Sequence, residues 1–514
     1  MQKRGWITLI VIAVVLILAV GVVWGVTHYV FAGGHLYAKS AEVLDLRGME
    51  ITQEDFEKIA NKMPDCDITW DVPFQGGTVS SKEAEITVTG LSDADVLALD
   101  YLTELETVHG ENCPDYAQLA QLQQRHPESK VLYKMTVSGK SCDQDTSKLT
   151  LKGLTAEDAA LLNYLPQLEK VEVSGCSDYA MLQQLQQEHP QWNLTYTVTL
   201  GGEEFDWDAA SVEASDASYG EITEGLPGLV ELKSLSLTNP DADADQLLGL
   251  RQEYPDIDIT WQVEIYGQTV AEDVTELDIS GAEVESCEEV ERLVACLPNL
   301  EKLIMTDCGI DSETMAEFRE RQRDNYKVVW TVYLGDKCKV RTDETYFMPI
   351  KQGEYYFKDE YSEELKYCED MVCIDVGHHK IHNIDFVAYM PHLKYLILAH
   401  TEVQDVSPIV NCQELVYLEV DWSTIRDYSP IAQVKSLEDL NLNQTYCKID
   451  PILEMTWLKN LWAPGRSYAI QQQLIEALPD THLQLADKNP AGQGWRNLPN
   501  YYAMRDYLGM YYME

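Results

Sequence analysis

Positive charge is scarce in this sequence. Lysine and arginine number 38 against 86 aspartates and glutamates, a formal net charge of −48 over 514 residues. A surface this acidic repels phosphate backbones, and no basic stripe interrupts it, which excludes nucleic acid as a partner. The same deficit excludes adhesion to anionic lipid by charge alone. Catalytic signatures are missing too: the chain has no G-x-S-x-G, no H-E-x-x-H, no glycine-rich phosphate loop and no paired-cysteine knuckle. Carboxylates are so common that a pair of them signals nothing about acid–base chemistry. The expectation is a protein that is no enzyme and needs no metal or cofactor.

Long apolar runs are absent except for one. Lys3 and Arg4 precede an apolar run over residues 7–26, which at about 1.5 Å per residue is enough helix to span a bilayer. The cations before the run place the amino terminus in the cytoplasm. The reading is a cytoplasmic stub over residues 1–5, a transmembrane signal anchor over 6–30, and an extracellular remainder on a single-pass cell-membrane protein. A cleaved signal peptide competes, with Val30, Phe31 and Ala32 offering cleavage positions. Against it, the apolar region exceeds the usual length of about 7–15 residues.

What is present is mostly repeat. The apolar fraction of 45% is ordinary for a globular chain, and the length allows about three domains' worth of core. Five alternating segments carry the aromatic residues Trp70, Tyr133, Tyr196, Trp261 and Trp330, which lie 63, 63, 65 and 69 residues apart. Alternation over five or six positions predicts half-buried strands. Helical segments that end at Pro127, Pro190 and Pro255 precede three of them, and the proline stops the helix. Between these markers the spacing of Leu168, Val171, Val173 and Cys176, repeated as Leu300, Leu303, Met305, Cys308 and Ile310, spells L-x-x-L-x-L-x-x-C-x-I.

From Met371 onward the period shortens. Leu393, Leu415, Leu437 and Leu458 open copies 22, 22 and 21 residues apart, and Asp405 to Ile409 aligns with Asp427 to Ile431 as a D-x-S-P-I turn. On these residues the chain resembles the leucine-rich repeat family, and residues 371–465 resemble the short repeats of internalin-type bacterial surface proteins. The resemblance implies an α/β solenoid of short parallel strands and helices behind the amino-terminal helix. Divergent modules of about 65 residues are expected over 35–336, a junction over 337–370, internalin-like repeats over 371–487 and a cap over 488–514 that covers the last apolar layer. The asparagine ladder of such repeats reads His379, Thr401, Ser423 and Thr445 here, residues that still hydrogen-bond.

Twelve cysteines in an exported chain suggest disulfides. Cys113, Cys176 and Cys308 instead each follow an opening leucine by eight residues, the register of a ladder, and are expected as buried free thiols. Cys287 with Cys296, Cys368 with Cys373, and Cys412 with Cys447 remain open as pairs. Asp241, Asp243 and Asp245 lack the glycine and closing glutamate of a calcium loop and are read as a helix cap.

The candidate recognition residues fall in columns at repeat spacing. Tyr395, Tyr417 and Asp439 form one on the concave strand face; Asp375, Ile397, Glu419, Asn441 and Trp462 form the next. His378, His400, Trp422 and Gln444 form a third in the following turn, and the register separates His378 from His379 and His382, which argues against a zinc site. Aromatic residues facing solvent beside carboxylates suit recognition. Tyr395, Tyr417, Glu419, Trp422, Trp462, His378 and His400 are therefore the expected binding residues. The internalin resemblance implies a membrane-anchored adhesin or binding module with an extracellular protein or glycan partner. The alternative is an exported envelope scaffold or inhibitor that docks other membrane proteins through its tyrosine-rich end, residues 495–512.

Overall fold

The computed structural model describes residues 2–486 and 494–510 of the chain. It divides into two compact units, one built from residues 1–236 and 256–258, the other from 237–255 and 259–514.

In the first unit the helix Gln2–His28 holds the apolar run. Its segment Trp6–His28 is long and apolar enough to cross a membrane, and its apolar side chains are exposed rather than packed in the protein. The chain then turns at once into a hairpin, Tyr29–Ala32 against His35–Ala38. Gly33 and Gly34 make the turn with φ of 55° and 78°. The positive φ at Gly33 favours glycine there, and a Cβ would also have to displace the tip of Ile51, 2.5 Å away. Val30 and Ala32 are buried, and Asp55 accepts the Gly33 amide at 2.9 Å.

The first module pairs two parallel strands, Val43–Asp45 and Asp67–Thr69, across one helix, Gln53–Lys62; the later modules run β-α-β-α-β, and each module is closed by an antiparallel hairpin. Glu85–Thr87, Thr107–His109 and Lys130–Leu132 pair in parallel, and Lys134–Val137 then folds back on Lys140–Asp143. Glu276–Asp278, Lys302–Ile304 and Lys327–Val329 repeat this in the second unit, followed by Thr331–Leu334 against Cys338–Arg341. The marker aromatics stand where the parallel strand passes into the hairpin, and all five are buried. Three of their polar tips find carbonyls, with Tyr133 donating to Tyr164 O, Tyr196 to Gly228 O at 3.0 Å and the Trp261 indole to Cys296 O at 2.8 Å; the Trp330 indole donates to the Ser312 hydroxyl at 3.3 Å, and the buried Trp70 indole has no hydrogen-bond partner among the described residues. A buried aromatic with a polar tip usually takes such a partner. Asp243 caps its helix in a reciprocal box with Gln246, as expected from its spacing.

The second unit continues as a seven-stranded parallel sheet. Its strands are Tyr346–Phe347, Cys373–Asp375, Tyr395–Ile397, Tyr417–Glu419, Asp439–Asn441, Asn460–Trp462 and His482–Gln484. The sheet opens inside the segment expected as a junction, because Tyr346 and Phe347 already pair with Cys373 and Ile374. Leu396, Leu418, Leu440 and Leu461 stand in register across it, all fully buried. Each such leucine contributes roughly 1.5–3 kcal/mol of burial. On the opposite wall the D-x-S-P-I turns start short helices. Asp405 accepts the Ser407 amide at 2.8 Å and Asp427 that of Ser429 at 2.9 Å, while Pro408 sits in the first turn where no amide is needed.

The hydroxyl ladder is built as expected. Thr401, Ser423 and Thr445 are buried and donate to Leu398 O, Val420 O and Leu442 O at 2.7, 2.6 and 2.8 Å. His379 accepts the Phe357 amide through Nδ1 at 3.3 Å. Cys113, Cys176 and Cys308 are buried, the last two with sulfur against Leu154 O and Ile279 O. All twelve cysteines are free thiols, including the three candidate pairs.

Candidate recognition surfaces

Aromatic residues run along the array on the strand face and in the turn that follows it, and the structure treats the two sets oppositely. The first lies on the strand face. Tyr395, Tyr417 and Trp462 were expected to face solvent there; instead they are 7%, 0% and 1% exposed. The cover is the end of the chain itself. A short turn at Trp495–Asn497 and the helix Pro499–Tyr507 lie across the strands, forming an apolar cluster in which Cys373, Tyr395, Ile397, Tyr417 and Trp462 meet Trp495, Met504 and Leu508. The Trp495 ring sits 5.2 Å from that of Tyr417 and 5.1 Å from that of Trp462; Tyr507 meets Tyr395 at 5.7 Å. Lys351 donates to Leu508 O. The tail expected to cap the last repeat or to dock a partner therefore packs on the strand face of its own array. Residues 488–493 and 511–514 of that expected cap lie outside the described residues.

Beneath this cover are carboxylates. Tyr417 donates to Glu419 at 2.8 Å. Asp439 accepts from Asn460 at 2.7 Å and from Asn500 of the tail helix at 3.0 Å. Asp375 accepts the Gly377 amide at 2.9 Å, and burial pushes its carboxyl up to about 7. Burial likewise raises Glu419, Asp421 and Asp439 above the usual carboxylate range, since a charge out of water is disfavoured unless paired.

The second column lies in the turn after each strand and remains open. The His378 and His400 rings stack at 4.6 Å with 18° between planes, and His400 and Trp422 stack at 5.5 Å and 10°. Backbone bonds explain the stacking. His378 donates to Ala399 O, His400 to Asp421 O and Trp422 to Asn443 O, at 2.7 to 3.0 Å, so each ring inherits the strand spacing of about 4.8 Å. Trp422 is 50% exposed, and the His400 side chain 41%. Register carries the column back to the exposed Tyr356, whose following segment pairs in parallel one repeat before His378 through Lys358 and Lys380. At the other end Gln444 accepts the hydroxyl of exposed Tyr446 at 2.8 Å.

The backbone of this column is left-handed, with φ of 65°, 53°, 52° and 57° at His378, His400, Trp422 and Gln444. Glycine or a short polar residue holds the equivalent place in the modules: Gly153, Gly281 and Asn239 make the same cross-repeat bond with φ of 72°, 80° and 48°, and Asp307, in register with Gly281, has φ of 56°. A bulky residue there costs of order 1–2 kcal/mol, and strain of that kind concentrates where function demands the side chain. Desolvation, then the neighbouring His378, lowers the His400 imidazole below its ordinary value.

His382 stands apart from this column, its two ring nitrogens each 3.0 Å from a carboxylate, Asp359 and Glu402, which raise its titration. Among the described residues no group of three or more histidine, cysteine or carboxylate side chains is placed to hold a metal ion.

No family model matches the chain, and no curated protein matches it. Among solved structures it is similar to an internalin of Listeria monocytogenes (13% identity, 81% of this chain and 87% of that one, TM-score 0.21) and to a leucine-rich-repeat protein of Leptospira interrogans (14% identity, 81% and 95%, TM-score 0.23). Internalin C2 of Listeria monocytogenes is also similar (14% identity, 49% and 86%, TM-score 0.21). Identities this low transfer no residue's role, and the two columns stand on this chain's own geometry.

Proposed function

We propose that this chain is a membrane-tethered recognition protein that binds an extracellular protein or glycan through the open aromatic column of His378, His400 and Trp422, flanked by Tyr356 and Tyr446. The observation that carries the reading is the left-handed backbone under large rings: the fold would be less strained with glycine or asparagine, as in the modules, yet the array places stacked aromatic rings there and leaves them in water. Rigid aromatic area beside polar groups gives contact at low entropic cost. The Trp6–His28 helix serves as an uncleaved anchor. Cleavage after Ala32 would remove the strand Tyr29–Ala32 from its hairpin and with it the buried Val30 and Ala32.

The test is a binding screen of the full chain in lipid nanodiscs against arrayed extracellular proteins and glycans, repeated with Trp422→Asn. The expected result is a saturable hit weakened at least tenfold by the substitution, while the melting temperature holds or rises. A hit of undiminished affinity in Trp422→Asn sinks the assignment to this column.

A further inference from the structure

We propose that residues 494–510 are a releasable strap, which closes over the strand face while the carboxylates beneath it carry protons and lifts off when they ionise, uncovering an aromatic and acidic surface.

The apolar contacts of the strap form a cluster separate from the array's own core. Trp495, Met504 and Leu508 meet the strand residues that point out of the solenoid, whereas Leu396, Leu418, Leu440 and Leu461 belong to the core on the other side of the same strands. Release would leave that core and its parallel ladder intact.

The charges under the strap are poorly matched. Asp421 is 2% exposed, and its Oδ1 has no hydrogen-bond partner among the described residues. Its Oδ2 lies 4.0 Å from His400 Nε2. Glu419 has the Tyr417 hydroxyl and faces the carboxyl of Asp421, Asp439 has two side-chain amides, and Asp375 has one backbone amide. The strap brings Arg496, whose charge is felt at Glu419 and Asp421. Its other arginine, Arg505, donates to Met510 O within the strap. At the rim Lys459 pairs with Glu438 at 2.6 Å. Tyr501 and Tyr507 also stand at the closure, and burial raises the titration of Cys373, Tyr395 and Tyr417, which keeps these three neutral.

Burial raises the titration of all four carboxylates, and opening returns them to water. The sign follows. Below about pH 4 the groups are protonated in both states and closure is unopposed; as pH rises, the open state loses protons first, and each such group favours opening by up to about tenfold per pH unit.

The test is hydrogen exchange of the full chain in nanodiscs at pH 5.5 and 8.5, with labelling times scaled for the intrinsic pH dependence. The expected result is at least tenfold lower protection of the helix Pro499–Tyr507 at pH 8.5, with the strand Lys302–Ile304 unchanged, and retention of protection at pH 8.5 in Glu419→Gln/Asp421→Asn. Equal protection of the helix at both pH values, or the same loss in the double variant, overturns the proposal. Trp495→Ala supplies a second arm. Helix protection should fall at both pH values while amides at residues 396 and 418 stay protected; loss of protection throughout the array would show that the segment is an integral layer of the fold and would also overturn the proposal.

Discussion

The strand face and the turn column of the same array both carry aromatic residues at repeat spacing, and one is dry while the other is wet. Tyr395, Tyr417 and Trp462 are sealed under Trp495 and the helix that follows; His378, His400 and Trp422 stack in the open. Periodicity fixes which residues share a column. It does not fix whether a column meets water, because a segment outside the repeat can supply the cover. The lesson is that exposure in a solenoid belongs to the whole chain and not to the repeat.

The contrast can be broken at its strongest point by Trp462→Ala. Removing a fully buried indole should cost about 3–5 kcal/mol, read as a lowered denaturant midpoint of the array; a cost below about 1 kcal/mol would mean the strap does not bury that side chain in solution. The next effect comes from pH. Asp375 titrates up at about 7 when folded, so its contribution to stability is whole below about pH 4 and is lost as pH rises through 7, at no more than about 1.4 kcal/mol per unit. The melting temperature should therefore fall between pH 5 and pH 8, and Asp375→Asn should flatten that fall; an unchanged slope in the variant would assign the effect to other groups. Thr401→Val, which deletes the ladder bond to Leu398 O, should cost about 1 kcal/mol, with a neutral result pointing to a ladder that is ornamental at that rung. The smallest effect belongs to the open column. Trp422→Ala should change stability by less than about 0.5 kcal/mol, as surface substitutions do, and a loss above 2 kcal/mol would show that the ring is structural.

Much of the array was legible beforehand. The leucine step, the D-x-S-P-I turns, the hydroxyl ladder and the alignment of His378, His400 and Trp422 are all local repeats, and each is present as read. The strand-face residues were placed in the right columns but given the wrong environment. Nothing in the alternation of Tyr417 and Glu419 distinguishes a solvent-facing pair from one covered by a distant helix. The early opening of the sheet at Tyr346 was hidden for a related reason: that strand pairs over two residues and lacks the leucine that opens later copies.

Local chemistry set the apolar helix, the parallel ladders, the aromatic markers and the stacked turn column, since each depends on neighbours at fixed spacing and on backbone bonds from one repeat to the next. Where the tail lies, which aromatic column it dries and how far it shifts the carboxylates below were settled only by packing. Residues 494–510 carry no repeat to announce their partner, and burying Trp495 against Tyr417 and Trp462 is a contact between segments far apart in the chain.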